Sequence, residues 1–390
     1  MTASASPQVI LQETAMKTSP RLVFLDVVRG MTVAFMILVN NHGNEKATYW
    51  PLEHAEWNGW TPTDLVFPIF LFLVGITTVF STASRIARGE SRGSLFWHAL
   101  RRAAILFVLG ILIHGFPSYP LATLRIYGVL QRIAICYFIS TVIYLWDRRV
   151  VTLVTVAAGC LLGYWILLRW VPIPGFGVPG RDFPFMDKDL NWVSVVDRHL
   201  FPGRLLEKTR DALGLISAMP AVATCLLGML TGLWLRTDRT MRAKAAGMLA
   251  GAVAGLALGS LWAIWFPINK RLWTSSYVLF AAGWTLLILF VCYYVIDIKK
   301  HQGAWTYPWR VFGANAIFAY AFSELLSIVL GVIRVGSDGG TISLKRLIYT
   351  RIFAPIPDPS FGTLLYSLSC VLVCFIPCLV LYRRRIFIKI

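Results

Sequence analysis

Charged side chains are scarce in this sequence: Asp, Glu, Lys and Arg make up 14% of its 390 residues, against about a quarter in an ordinary soluble domain. That deficit excludes a soluble globular enzyme. With hydrophobic residues at 57%, it also excludes intrinsic disorder, which needs a polar chain. Glycine shows no three-residue period, so a collagen-like rod is ruled out. The polar, Ser/Thr-rich opening (residues 1–20) lacks the apolar middle of a signal peptide, and it reads as a cytoplasmic tail. Cysteine is sparse and sits only in apolar runs: Cys136, Cys160, Cys225, Cys292, Cys370, Cys374 and Cys378 should pack as small hydrophobes. The last three recur every four residues on one helical face, but no histidine or carboxylate joins them. No metal site and no disulfide scaffold is therefore expected.

What the chain has in abundance is apolar runs near the 20 or so residues that cross a bilayer. Ten candidate spans fall at 22–42, 64–84, 101–117, 124–145, 150–170, 213–235, 243–266, 274–297, 308–333 and 361–382. Their longest connections are 171–212 and 334–360. Lys and Arg outnumber Asp and Glu by 37 to 19, and the excess alternates between connections. Arg85, Arg88, Arg92, Arg101 and Arg102 share one loop and Arg148 and Arg149 the next. Arg236, Arg239, Arg242 and Lys244 follow, then Lys299, Lys300 and Arg310, then Arg383, Arg384, Arg385 and Lys389. The short loops between hold little beyond Lys46, Arg125, Lys270 and Arg271. By the positive-inside rule these basic loops face the cytoplasm, which accounts for the net charge of +18 without a nucleic acid. The expected fold is all-α: a polytopic membrane protein of about ten transmembrane helices around a polar cavity, both termini cytoplasmic. Its parts are a tail at 1–20, a transmembrane domain at 21–385 and a tail at 386–390.

Ionisable groups inside a span are costly and usually face a cavity or a partner. The first span carries Asp26 and Arg29, three residues apart on one face; they read either as an internal ion pair or as cavity groups. The fourth carries Gln131 and Arg132, and the ninth Asn315 and Glu324. Arg132 either pairs with Glu324 or faces an anionic ligand, whose oxygens suit the guanidinium fork. The first loop is the densest chemistry in the chain, with Asn40, Asn41, His42, Glu53, His54, Glu56, Trp57, Asn58 and Asp64. His54, one of only six histidines, stands beside Glu53 and Glu56, which would raise its pKa, and it is either solvated or a proton acceptor. Trp50, Trp57 and Trp60 equally suit interfacial anchoring. Asn269, Lys270, Trp273, Ser275 and Ser276 suit a sugar pocket, or the cap of a helix starting at Thr274.

Several stretches carry a family likeness. RLVFLDVVRG (21–30), MILVNN (36–41) and HAEWNGWTPTDLVFP (54–68) are followed by RIYGVLQR (125–132), GLISAMPA (214–221), FPINKRLWTSS (266–276) and GANA (313–316). In that order the sequence resembles the heparan-α-glucosaminide N-acetyltransferase family, most closely its bacterial members. The resemblance implies a homodimer in a bacterial inner membrane that moves an acetyl group from cytosolic acetyl-CoA to the amine of a glucosamine-type sugar on the far side. It implies His54 as the active-site histidine, acting as general base or acyl carrier, and Asn40 as the accompanying amide, with Asn41 its alternative. The segment 42–52 does not match the family.

Acyl transfer to an amine needs a base and a stabilised oxyanion, roles His54 and Asn40 suit. Arg29, Gln131, Arg132 and Asn315 are the candidates for holding CoA, whose phosphates need donors. Trp57, Asn58, Asp64, Lys270 and Ser276 are the candidates for the sugar. The competing reading is a transporter of N-acetylglucosamine or a related sugar. Transporters commonly show internal repeats, and none relates 22–170 to 213–382.

Overall fold

The computed structural model describes residues 22–337 and 340–388; the tail at 1–20 and Lys389 lie outside them. Nine helices among the described residues are long and apolar enough to cross a membrane. The protein is an all-α polytopic membrane protein. In chain order its helices are α1 Val23–Asn40, α2 Val66–Ala87, α3 Arg92–Gly115, α4 Val129–Trp146, α5 Val150–Trp170, the short α6 Trp192–Leu200, α7 Ala218–Leu235, α8 Met241–Trp262 and α9 Ser275–Cys292. They continue with α10 Tyr307–Ala314, α11 Ala316–Val332, α12 Leu344–Ile348 and α13 Pro359–Arg383. One hairpin, β1 Arg334–Ser337 with β2 Gly340–Ser343, lies between α11 and α12.

The spans start where the local chemistry permits. Thr61 and Asp64 form a capping box ahead of α2, each satisfying a backbone N–H that a helix start leaves open. The Ser91 side chain accepts from Ser94 N ahead of α3, so this helix begins nine residues earlier than the 101–117 span read from hydropathy. Arg92, Arg101 and Arg102 consequently lie on a helix rather than in a loop. The ninth span is not one helix. Ala304–Ala314 and Ala316–Val332 meet at 76°, because Asn315 leaves the helical conformation (φ −129, ψ 45) and bonds elsewhere, as described below.

Burial sorts the helices. The α2 span is 78% buried in its most apolar window and α5 only 22%, so α1, α2 and α7 form the centre and α5 and α8 the periphery. Packing at the centre is close. A Cβ on Gly30 would collide with the Trp309 carbonyl oxygen, and one on Gly313 with that of Asp26. Helices in lipid gain little from hydrophobicity and associate where small residues let backbones meet; here this brings α10 against α1. The basic loops gather at one end of the bundle, and the first loop gathers with 171–217 and 263–274 at the other. Gly313→Val should therefore separate α1 from α10, overpacking costing about 1–3 kcal/mol. Melting in detergent, followed by size-exclusion fluorescence, should fall by several degrees. Gly331→Val, where a Cβ meets nothing within 4 Å, should not lower it.

Candidate active site

At the end opposite the basic loops, the capping carboxylate of Asp64 organises the first loop. Its side chain is 1% exposed. Oδ2 accepts from Ala55 N and Thr61 N, both at 3.0 Å, and Oδ1 lies 2.8 Å from His54 Nδ1. Tyr277 on α9 donates its hydroxyl to the Asp64 carbonyl oxygen at 2.5 Å. A carboxylate only accepts, so the proton of His54 sits on Nδ1 and Nε2 keeps its lone pair. The ring is 42% exposed, reachable from outside. This is the base-and-orienter geometry of catalytic dyads.

Lys270 completes the cluster from a distant part of the chain. Its Nζ lies 3.4 Å from Asp64 Oδ1 and 3.0 Å from His54 Nδ1. The loop that carries it is stapled to the first loop: Gly59 N donates to Ile268 O at 2.8 Å, and Asn269 Nδ2 donates to Asn58 Oδ1 at 3.2 Å. Two cation-forming groups therefore share one carboxylate. Burial pushes the His54 pKa below its ordinary 6.5, opposed by the Asp64 hydrogen bond and reinforced by Lys270. Burial also lowers Lys270, with Asp64 opposing. The expectation that Glu53 and Glu56 raise the His54 pKa is thus corrected. Glu56 meets Lys188 at 3.3 Å, and the carboxylate that reaches the ring is Asp64. Nearby His42 is also held neutral, by burial first and then by His54.

At the basic end a cavity of about 610 Å³ opens between α1, α2, α3 and α11. Asp26, Arg29, Arg85, His98 and Arg102 supply its polar wall, and Phe70, Leu73 and Ile133 its apolar one. Arg29 donates to Asp26 at 2.7 Å, which makes them both an ion pair and cavity groups. Arg85 meets Glu90 at 3.0 Å, and Arg102 lies 4.6 Å over the ring of Tyr137. Residues 386–388 fold back, so that Phe387 and Ile388 also line this space.

With this geometry in place, comparison with known sequences is decisive. Residues 21–266 match the family model described as heparan-alpha-glucosaminide N-acetyltransferase, catalytic. The chain belongs to that family. Among curated relatives, the heparan-alpha-glucosaminide N-acetyltransferase of Homo sapiens is 30% identical over 362 residues, covering 78% of this chain and 53% of the relative. Its Mus musculus counterpart is 28% identical over 372 residues, covering 80% and 55%. The chain thus spans about half the length of the curated relatives it matches. The family match takes in His54 and Asp64 and ends shortly before Lys270.

Not every residue singled out from the sequence reaches a cavity or an open face. Among the CoA candidates only Arg29 lines the cavity. Arg132 is 1% exposed and donates to Gly214 O at 2.8 Å, to Ser217 O at 3.1 Å and to Ser217 Oγ at 2.6 Å. It ties α4 to the turn before α7 and meets neither Glu324 nor the cavity. Gln131 is fully buried against Gly110 and Gly128. Asn315 clamps the returning chain: its Nδ2 donates to Ile386 O at 3.0 Å, and its Oδ1 accepts from Ile388 N at 2.8 Å. On the sugar side, Ser276 is buried and donates to Phe266 O at 2.5 Å, supporting the loop from beneath. Thr274 occupies the helix cap, but its hydroxyl donates to Pro267 O at 2.9 Å. Trp57 donates to Met186 O at 2.9 Å and lies under Arg210, so it anchors the 171–217 connection. Asn58 stays exposed. Asn41 is spent on Ile37 O at 2.8 Å, whereas Asn40 is exposed and donates to Glu324 at 3.4 Å.

Sequence reasoning missed Arg85, His98 and Arg102 as cavity residues, although the signal was there. Thr77, Ser81 and Arg85 recur every four residues along an otherwise apolar helix, and His98 and Arg102 repeat that spacing, which places each set on one face.

The charge balance around His54 is testable by histidine NMR. Its pKa should lie below 6.5 in the wild type, rise in Lys270→Gln, which removes the repelling cation, and fall further in Asp64→Asn. An Asp64→Asn variant with an unchanged titration would mean that the carboxylate does not hold the ring.

Proposed function

We propose that the protein transfers the acetyl group of acetyl-CoA to the amine of a glucosamine-type sugar across the membrane, with His54 as the general base. The observation that carries this reading is that one span, Pro62–Ala87, joins both chemistries. At its start Asp64 orients His54, and at its far end Arg85 stands in the wall of the polar cavity. The cavity follows α2 from Arg85 to Phe70, fifteen residues or about 22 Å at 1.5 Å per residue. That brings it within six residues, about 9 Å of helix, of Asp64.

In this reading the basic end faces the cytoplasm, as the Lys and Arg distribution supports. The CoA phosphates lie against Arg29, Arg85 and Arg102, whose charge-assisted hydrogen bonds are strong away from water. The pantetheine arm runs along α2 toward Asp64. The sugar amine attacks the thioester carbonyl while Nε2 of His54 takes its proton. The C–S bond then breaks, and the proton passes to the leaving thiolate. An imidazole held neutral below its ordinary pKa is already in the accepting form at pH 7. Asp64 keeps the ring in the productive tautomer and stabilises the imidazolium that forms. Asn40 is the side-chain donor proposed for the oxyanion, and Asn58 and Lys270 bound the sugar.

His54→Ala should lower acetyl transfer from acetyl-CoA to glucosamine by about 10²–10⁴-fold while leaving radiolabelled CoA binding intact. Arg85→Ala combined with Arg102→Ala should weaken CoA binding at least about tenfold, the loss expected for charged hydrogen bonds. Sugar accumulation in proteoliposomes without acetyl-CoA, or full activity in His54→Ala, would overturn the reading.

A further inference from the structure

The α1 helix has two unlike faces. At 100° per residue, Met31, Phe35 and Leu38 point roughly opposite to Asp26 and Arg29, which line the polar cavity. Against this second face lies a groove of about 540 Å³ between α1, α2, α9, α10 and α13, a volume typical of ligand sites. Its walls are hydrocarbon and aromatic rings, among them Trp60, Trp284 and Ile288. The hydroxyl of Thr32 is satisfied within the helix, donating to Val28 O at 2.7 Å. Met31 and Leu368 on its sides are 36% and 41% exposed, so the groove opens sideways toward lipid. From Val28 to Leu38 it runs ten residues, about 15 Å, roughly half the hydrocarbon thickness of a bilayer.

We propose that this groove holds the hydrocarbon chain of a lipid-linked amino sugar, with the sugar presented to His54. The inference rests on the amino-sugar acetyltransferase reading and names the class of its acceptor. What selects this occupant is the groove's upper rim. Trp60 and Pro62 form it, and they flank Thr61, whose N–H is bonded to the same Asp64 carboxylate that holds His54. A chain leaving the groove therefore emerges beside the imidazole. An ordinary bilayer lipid seated there would put its headgroup over the site and block it, whereas a lipid whose headgroup carries the amine would place that amine at Nε2. The acyl donor has its own space on the opposite face of α1. Tethering adds effective concentration, because the acceptor searches within the membrane rather than in bulk water.

The test uses the full chain in nanodiscs and two acceptors that differ only in their tail, methyl glucosaminide and dodecyl glucosaminide. The wild type should prefer the dodecyl acceptor at least about tenfold in kcat/KM, since each methylene buried is worth about fourfold. The preference should fall below about threefold in Ile288→Trp and in Leu368→Trp, which fill the groove at two separate walls. Partition into the bilayer alone would give every variant the same preference, so a preference that survives both substitutions overturns the proposal, as does a wild type with none. A dodecyl glucosaminide carrying a diazirine on its tail reads out the groove without any transfer. Crosslinks should map to the peptides containing Trp60, Trp284 and Leu368, and labelling spread evenly over the lipid-facing helices refutes the proposal. Groove labelling without acetylation of either sugar would instead leave the groove standing and overturn the acetyltransferase reading.

Discussion

A carboxylate buried where a helix enters a membrane must be answered by donors on every side, because its charge loses the water that would otherwise stabilise it. Asp64 is answered by the backbone of Ala55 and Thr61, by the ring of His54 and by the ammonium of Lys270. Three of these partners come from the first loop and Lys270 from far along the chain, so satisfying this one group draws together the first loop, the start of α2 and the loop before α9. The same act sets the chemistry. The hydrogen bond to Nδ1 sets the tautomer, and burial with a nearby cation holds the ring's pKa below its ordinary value. The local structure here follows from a single desolvated charge.

The central helices then divide space in two. A polar cavity flanks α1 and α2 on one side and an apolar groove on the other, with residues of both helices lining each. The close contact of Gly30 with the backbone of α10 belongs to the same arrangement. That helix ends just before Asn315, where the chain bends and the buried amide holds residues 386–388. An arginine deep in the bundle, Arg132, spends its donors on a turn for a related reason: carbonyl oxygens freed where the chain is not helical need partners, and a guanidinium supplies several at once.

Much of the fold was legible because hydropathy and length are local quantities. Spans such as 150–170 fall within a residue or two of the observed helices, and the alternation of Lys and Arg correctly groups the loops by end. The misplacements are local too. Arg92 joined a loop because its charge masks the start of a helix that Ser91 caps. The span 308–333 passed as one helix because hydropathy does not register a side chain, Asn315, that leaves the helix to bind a distant strand of backbone. At the candidate site, residue type and motif singled out His54, which the structure places against a buried carboxylate. The carboxylate that governs it was not the one adjacent in sequence.

By itself, then, the order of residues determined that this chain lives in a membrane, where most of its spans lie and which family it belongs to, since periodicity, composition and motif are carried along the chain. Only the tertiary structure decided that Asp64 rather than Glu53 or Glu56 reaches His54, that Lys270 joins them from more than two hundred residues away, and that Arg132 holds a turn while Arg85 and Arg102 face a cavity. Those outcomes depend on which way a helix is rotated and how deeply a charge is buried. Both are settled by packing between distant segments, and neither is written in the spacing of neighbours.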